Sequence, residues 1–255
     1  MMGVAALDPS YEGNEGCCAR RLPNAIPCAP SITMNAISPT DYLAPDIPGS
    51  LPWHDVPLVR ATAESLRGYG YLVDDPRQQK IEIVTWPQPG RRAIDPGTGN
   101  EGGTTQGIFD FWWEGETLYG RNQAVAANFY LLGWSRNPAE VKAAPAARPD
   151  RSRILLWHAN YHPDGGQLFF PQNGEAFVCP LALPGDDVRP EQFVAFYVDG
   201  GRGLYIHPNI WHEAVFPLAE RASFFDEQGK VHARISCNFA QEFGVFLNVP
   251  LRSAA

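Results

Sequence analysis

Two histidine-bearing stretches constrain this chain more than anything else in it. The first runs Asn160-Tyr-His162-Pro-Asp-Gly-Gly-Gln167 and closes at Gly174; the second runs Gly201-Arg-Gly-Leu-Tyr205-Ile-His207-Pro-Asn-Ile-Trp211-His212. In the first, His162 is followed after four residues by Gln167 and after six more by Gly174. Successive side chains of a strand point to opposite faces, so Asn160 and His162 share one. Gly174 marks a turn, and the apolar run after it predicts a strand over 175–183. The second stretch repeats the logic. A strand is expected over 193–198, then a tight turn at Asp199-Gly-Gly-Arg-Gly203, rich in the residue that tolerates positive φ. A return strand over 204–207 and another over 213–218 follow. In a small antiparallel barrel the inward side chains of neighbouring strands converge on one cavity. His162, Gln167 and His212 are expected there, while Glu213, adjacent to His212, is expected to face the other way.

The spacing resembles the first motif of the cupins, with Gln167 where Glu is commoner and Asn160 where another His is often found. A longer set of residues is more specific. His162-Pro163, Gln167, Phe170-Pro171, Gly174, Phe177-Val178, Ala182-Leu183 with Gly185-Asp186-Asp187 after it, Gly201, Gly203 and the run Tyr205 to His212 resemble the ureidoglycolate lyase family. The resemblance covers 160–218, with a fainter echo at 66–73. Two places depart from the family pattern. Glu213-Ala214 stands where the family usually has a second His and a Pro, and Ser236-Cys237-Asn238 does not match its C-terminal signature. The resemblance implies a mainly β fold, a cupin-type antiparallel β-barrel (jelly roll), in single or elaborated two-barrel form, with few short helices.

Composition agrees. With 44% apolar residues, 19% charged, 24 Gly, 24 Pro and 12% aromatics, turn-rich β structure with a sizeable core is favoured over long helices. One short helix is expected over 61–67, stopped by Gly68 and Gly70. The net charge of −8 argues against nucleic acid as a partner, because phosphate binding needs a basic face. Cys17, Cys18, Cys28, Cys179 and Cys237 form no metal-site spacing and cannot all pair. With no secretory segment and no apolar run long enough to span a bilayer, they favour a reducing cytoplasm and no membrane partner. Cys179 and Cys237 lie in apolar runs and read as buried packing residues.

Along the chain, 1–49 lacks periodicity and reads as a poorly ordered extension, with Met34 an alternative start. Residues 50–255 read as one cupin-type domain with the active-site motifs in 157–218. Strands are expected over 70–73, 81–86, 108–114, 116–121 and 126–134. The loop over 87–106 is long enough to be functional or disordered, and 138–149 is an Ala/Pro-rich connector. Alternation puts Phe109, Phe111 and Trp113 on one face of their strand, a core or dimer surface. A homodimer is expected.

The resemblance implies cleavage of a C–N bond in a small 2-hydroxy acid, ureidoglycolate or a related amide. The products would be an α-keto acid such as glyoxylate and urea or an amide, as in purine catabolism and allantoin degradation. Histidine suits the proton transfers because its pKa lies near neutrality. His162 and His212 are the expected acid–base pair, His207 orients substrate, and Gln167 holds a carboxylate or carbonyl. A carboxylate substrate needs cationic forks, for which Arg121, Arg202 and Arg234 are candidates; His232, Tyr205 and Trp211 join them as candidate binding residues. His158 reads equally as a second pocket histidine or a core one. Two alternatives stand beside this. One is a metal-dependent cupin lyase or oxygenase with one divalent ion on His162, Gln167 and His212, a set without an anionic member. The other is a non-catalytic small-acid or sugar-binding cupin. The acid–base reading requires no cofactor.

Overall fold

The computed structural model describes residues 41–88, 90–98, 102–125, 129–230 and 233–252. Its largest element is a ten-stranded sheet. In spatial order the strands are Trp53–Asp55, Phe246–Pro250, Arg153–Leu156, Phe129–Trp134, Thr117–Asn122, Thr104–Glu114, Arg221–Gly229, Gln167–Pro171, Gly203–Ile206 and Gly70–Val73. Phe216–Pro217, Phe177–Leu181, Val194–Val198 and Leu58–Arg60 form a four-stranded sheet, and Ile235–Asn238 pairs with His158–Tyr161. Pairing is antiparallel except where Trp53–Asp55 meets Phe246–Pro250 and Leu58–Arg60 meets Val194–Val198. The expected mainly β fold with few short helices is present. Among the described residues the hydrogen-bonded order does not close on itself.

The longest pairing explains where the core sits. Thr104–Glu114 lies between Thr117–Asn122 and Arg221–Gly229, and its alternation buries Phe109, Phe111 and Trp113 to 5% exposure or less. Phe111 and Phe177 both meet Phe224 edge-on, so this face packs against the smaller sheet. Cys179 and Cys237 are buried free thiols, as their apolar neighbours suggest; Cys17, Cys18, Cys28 and Met34 lie outside the described residues.

Several local expectations give way to tertiary context. The stretch 61–67 forms consecutive turns, not a helix: Ser65 Oγ bonds back to the Arg60 carbonyl, and Gly68 takes φ +88°. The strand expected over 81–86 is reduced to an isolated bridge, Ile83 to Gly165. The one expected over 213–218 shrinks to Phe216–Pro217. The connector carries a short helix, Pro138–Ala143, with Asn137 as its N-cap at the Ala139 amide. The fold's compact unit runs Pro39–Ala255, with Tyr42 and Ile47 packed against Trp157 and its neighbours. Residues 41–49 are thus part of the body, ahead of the boundary expected at 49.

Candidate active site

Four segments build one chamber. His158–Tyr161 carries the first motif, and Asn160 exchanges both backbone hydrogen bonds with His212, at 2.7 and 2.8 Å. The second motif is tied back again where Asn209, at φ +68°, donates its amide to the His162 carbonyl at 2.9 Å. Gln167 opens the next strand and pairs with Gln228 on one side and Ile206 on the other. These ties put His162, Asn160, Gln167, Gln228, Glu213 and Arg234 on the wall of one cavity of about 480 Å³. Tyr42, Phe109, Asn122, Tyr130 and the loop residues Gly97 and Thr98 complete much of it. Its volume falls in the range of small-molecule sites.

His212 sits behind this wall, fully buried, its ring 5.1 Å from that of His162 and edge-on to it. Its Nδ1 lies 2.7 Å from the Ile210 carbonyl, which can only accept, so Nδ1 carries a proton. Burial pushes its pKa below the usual histidine range, against the Ile210 hydrogen bond and Glu213. Its Nε2 is 3.1 Å from Gln167 Oε1. That oxygen faces His212 because the amide nitrogen of Gln167 donates to Asp226 Oδ1 at 2.6 Å. Asp226 is wholly buried, and burial raises its pKa to about 6. Three amides stabilise the ionised form: Gln167, Asn122 at 3.0 Å and Gln228 at 2.9 Å.

The cavity wall holds a second polar couple. Glu213 Oε2 lies 2.6 Å from His158 Nδ1 and accepts from Asn160 Nδ2 at 3.2 Å. Glu213 therefore faces the cavity, contrary to expectation. Only an isolated bridge holds His212, and the next three residues form no strand, so alternation does not apply. Arg234 donates from Nε to Asp95 at 2.7 Å and lies 4.6 Å over the Tyr42 ring, its guanidinium at the cavity wall.

Other expected site residues go elsewhere. Tyr205 is buried with its hydroxyl accepting from the Glu82 amide. Trp211 donates to the Gly185 carbonyl at 2.8 Å and supports Arg92, 5.6 Å over its ring. His207 packs on Tyr71 and Tyr205. Arg121 makes an outer-face ion pair with Asp110, and Arg202 is exposed. None of these five lines the cavity, and His232 lies outside the described residues. Sequence reasoning missed Tyr42, Asp95, Tyr130, Asp226 and Gln228. For the last two a signal existed: Ala222, Phe224, Asp226 and Gln228 alternate onto one face, and polar residues on an apolar strand face mark a site.

A divalent ion can be weighed against this geometry. With Nδ1 of His212 protonated and the Gln167 nitrogen held by Asp226, Nε2 and Oε1 bring two lone pairs face to face. A cation between them would resolve that contact, and His162, Gln167 and His212 would be its ligands. The set is weak by chemistry, with a neutral amide and no carboxylate. Among the described residues no group of three or more His, Cys, Asp or Glu is placed to hold a metal.

This is a mainly β protein whose two histidine motifs meet at one cavity. The family model of ureidoglycolate lyase matches residues 135–240, which contain both motifs. Ureidoglycolate lyases of Salmonella enteritidis PT4 and Salmonella newport are each 40% identical to it over 75 residues, 29% of this chain. The match spans 44% of the length of those relatives.

Proposed function

We propose that the chain cleaves the C–N bond of a small 2-hydroxy acid carrying a ureido or amide nitrogen on the hydroxyl-bearing carbon, ureidoglycolate or a close analogue. The observation that carries this reading is the cavity wall itself, where His162 shares a chamber with the Arg234 guanidinium and with amide oxygens that lack donors. Asn160 Oδ1 and Gln228 Oε1 are buried without a hydrogen-bond partner among the described residues. Unmet acceptors of this kind suit the N–H groups of a ureido acid. Arg234 suits its carboxylate.

In this reading His162 takes the hydroxyl proton. The O–H electrons close a C=O bond, the C–N bond breaks, and its electron pair stays on nitrogen. A proton from the Glu213–His158 couple neutralises the departing urea or amide, leaving an α-keto acid such as glyoxylate. His212 backs that ring edge-on, and Asp226 holds the Gln167 amide in place. The metal reading keeps the same substrate and rests on the facing Nε2 and Oε1 atoms. An ion there would supply Lewis-acid polarisation of the substrate oxygens.

Glyoxylate release from racemic ureidoglycolate, with and without prior chelation, tests both. Turnover that survives chelation and falls by at least about a hundredfold in His162→Ala supports the acid–base reading. Loss on chelation and recovery with one divalent ion moves the chemistry to the metal. No turnover under any condition sinks ureidoglycolate as substrate.

A further inference from the structure

Asp226 touches no part of the cavity, yet it decides what the cavity presents. A carboxylate can only accept, so each amide it contacts must turn its nitrogen inward and its oxygen away. Asn122 sends its oxygen to the Ala124 amide at 2.9 Å, a local turn contact. Gln167 lines the chamber but directs its oxygen to His212, behind the wall. Gln228 lines the cavity with its oxygen unmet, although the residue is 1% exposed. Glu213 acts likewise on Asn160, collecting its nitrogen and leaving its oxygen unmet. An amide free to rotate could offer either end; these cannot.

We propose that Asp226 is a specificity-determining positioning residue, which turns the Gln167 amide toward His212 and fixes the Gln228 amide with its oxygen unmet, so that the site selects a leaving group bearing terminal N–H donors over one of the same shape without them. The inference rests on the lyase reading and deepens it, favouring ureido over acyl nitrogen. Asp226→Asn keeps the shape but replaces one acceptor oxygen by a donor, so the neighbouring amides can turn round. The buried oxygens then no longer demand a donor from the ligand.

The test compares ureidoglycolate with its acetamido isostere, in which a methyl group replaces the terminal amino group, on the full-length protein. Wild type is expected to favour the ureido acid in kcat/KM by at least about tenfold, because the isostere leaves buried acceptors unpaired. Asp226→Asn should bring that ratio to within about threefold while near-ultraviolet circular dichroism is retained. A merely structural role would lower both substrates together and leave the ratio intact, and that result overturns the inference. Should Asp226→Asn fail to fold, Gln228→Met removes one unmet oxygen while Asp226 keeps its Gln167 and Asn122 donors. It should narrow the ratio, and an unchanged ratio counts against the inference. Wild type that cleaves both acids equally overturns it while the lyase reading stands. Turnover of neither acid removes the lyase reading instead, and calorimetric binding of the two then decides separately. A ureido preference lost in Asp226→Asn supports the inference, and equal binding ends it.

Discussion

Arg234 shows how a single residue becomes a site residue through its neighbours. Arginines are mostly solvated, and nothing in the local sequence separates Arg234 from Arg121 or Arg202. Asp95 and the Tyr42 ring hold it at the cavity, whereas Arg121 is held outside by Asp110. A guanidinium fork grips a carboxylate through paired donors that an ammonium cannot copy. Arg234→Lys is therefore expected to raise KM for a hydroxy acid by about tenfold or more while kcat changes less, and Arg121→Lys to change neither. Steady-state kinetics of the two variants on one substrate check this. At the same scale, the meeting of His162 and Gln167 at one cavity was readable from spacing, whereas His212 sits behind its wall. Tyr205, His207 and Trp211 belong to the same motif but support it, because side-chain direction there follows contacts with Glu82, Tyr71 and Gly185 that lie far off in sequence.

The strand Arg221–Gly229 carries the other lesson. Its buried face begins with Ala222 and Phe224 in the core and ends with Asp226 and Gln228 under the cavity, so one element joins packing to chemistry. Long strands with clear alternation, such as Thr104–Glu114, were legible because one buried face imposes period two. Short ones were not: 81–86 and 213–218 hold apolar residues that pack without a full ladder. Glu116, beside the tight turn after Thr104–Glu114, ties the following connector down. Arg136 donates to both its oxygens at 2.8 and 3.0 Å, and the Ala146 amide to one at 2.9 Å. The Arg136 hydrogen bonds hold its carboxyl below the usual glutamate range. A depressed carboxyl contributes stability that is fully present above the unfolded pKa and lost as pH falls through the folded one. Glu116→Gln should lower Tm at neutral pH, and the gap to wild type should close on acidification through that window. A Tm series over pH would refute this if the gap stayed constant or widened.

Across the molecule, part of the long 87–106 loop becomes a strap. Arg92 bonds the Asp186 and Ser236 carbonyls at 2.9 and 3.1 Å and pairs with Glu242 at 2.7 Å. Asp95 accepts from Arg234 and from Ser236, which puts Gly97 and Thr98 on the cavity wall. Arg92→Ala should release this segment, with faster amide exchange over 90–98 and a raised KM, and little effect on global Tm. Equal exchange in variant and wild type would show that the strap is held by other contacts.

The sequence by itself determined the β architecture, the core face of its longest strand, the two histidine motifs and the family they resemble. These follow from period-two alternation, glycine-bearing turns and fixed local spacing, all local properties of the chain. Tertiary structure alone decided which arginine meets the cavity, that Glu213 turns inward, and that a buried Asp226 sets the direction of the wall amides. Those outcomes depend on partners 50 to 140 residues away, such as Asp95 for Arg234, Gln167 for Asp226 and His158 for Glu213. Only the folded chain brings such groups within hydrogen-bonding distance.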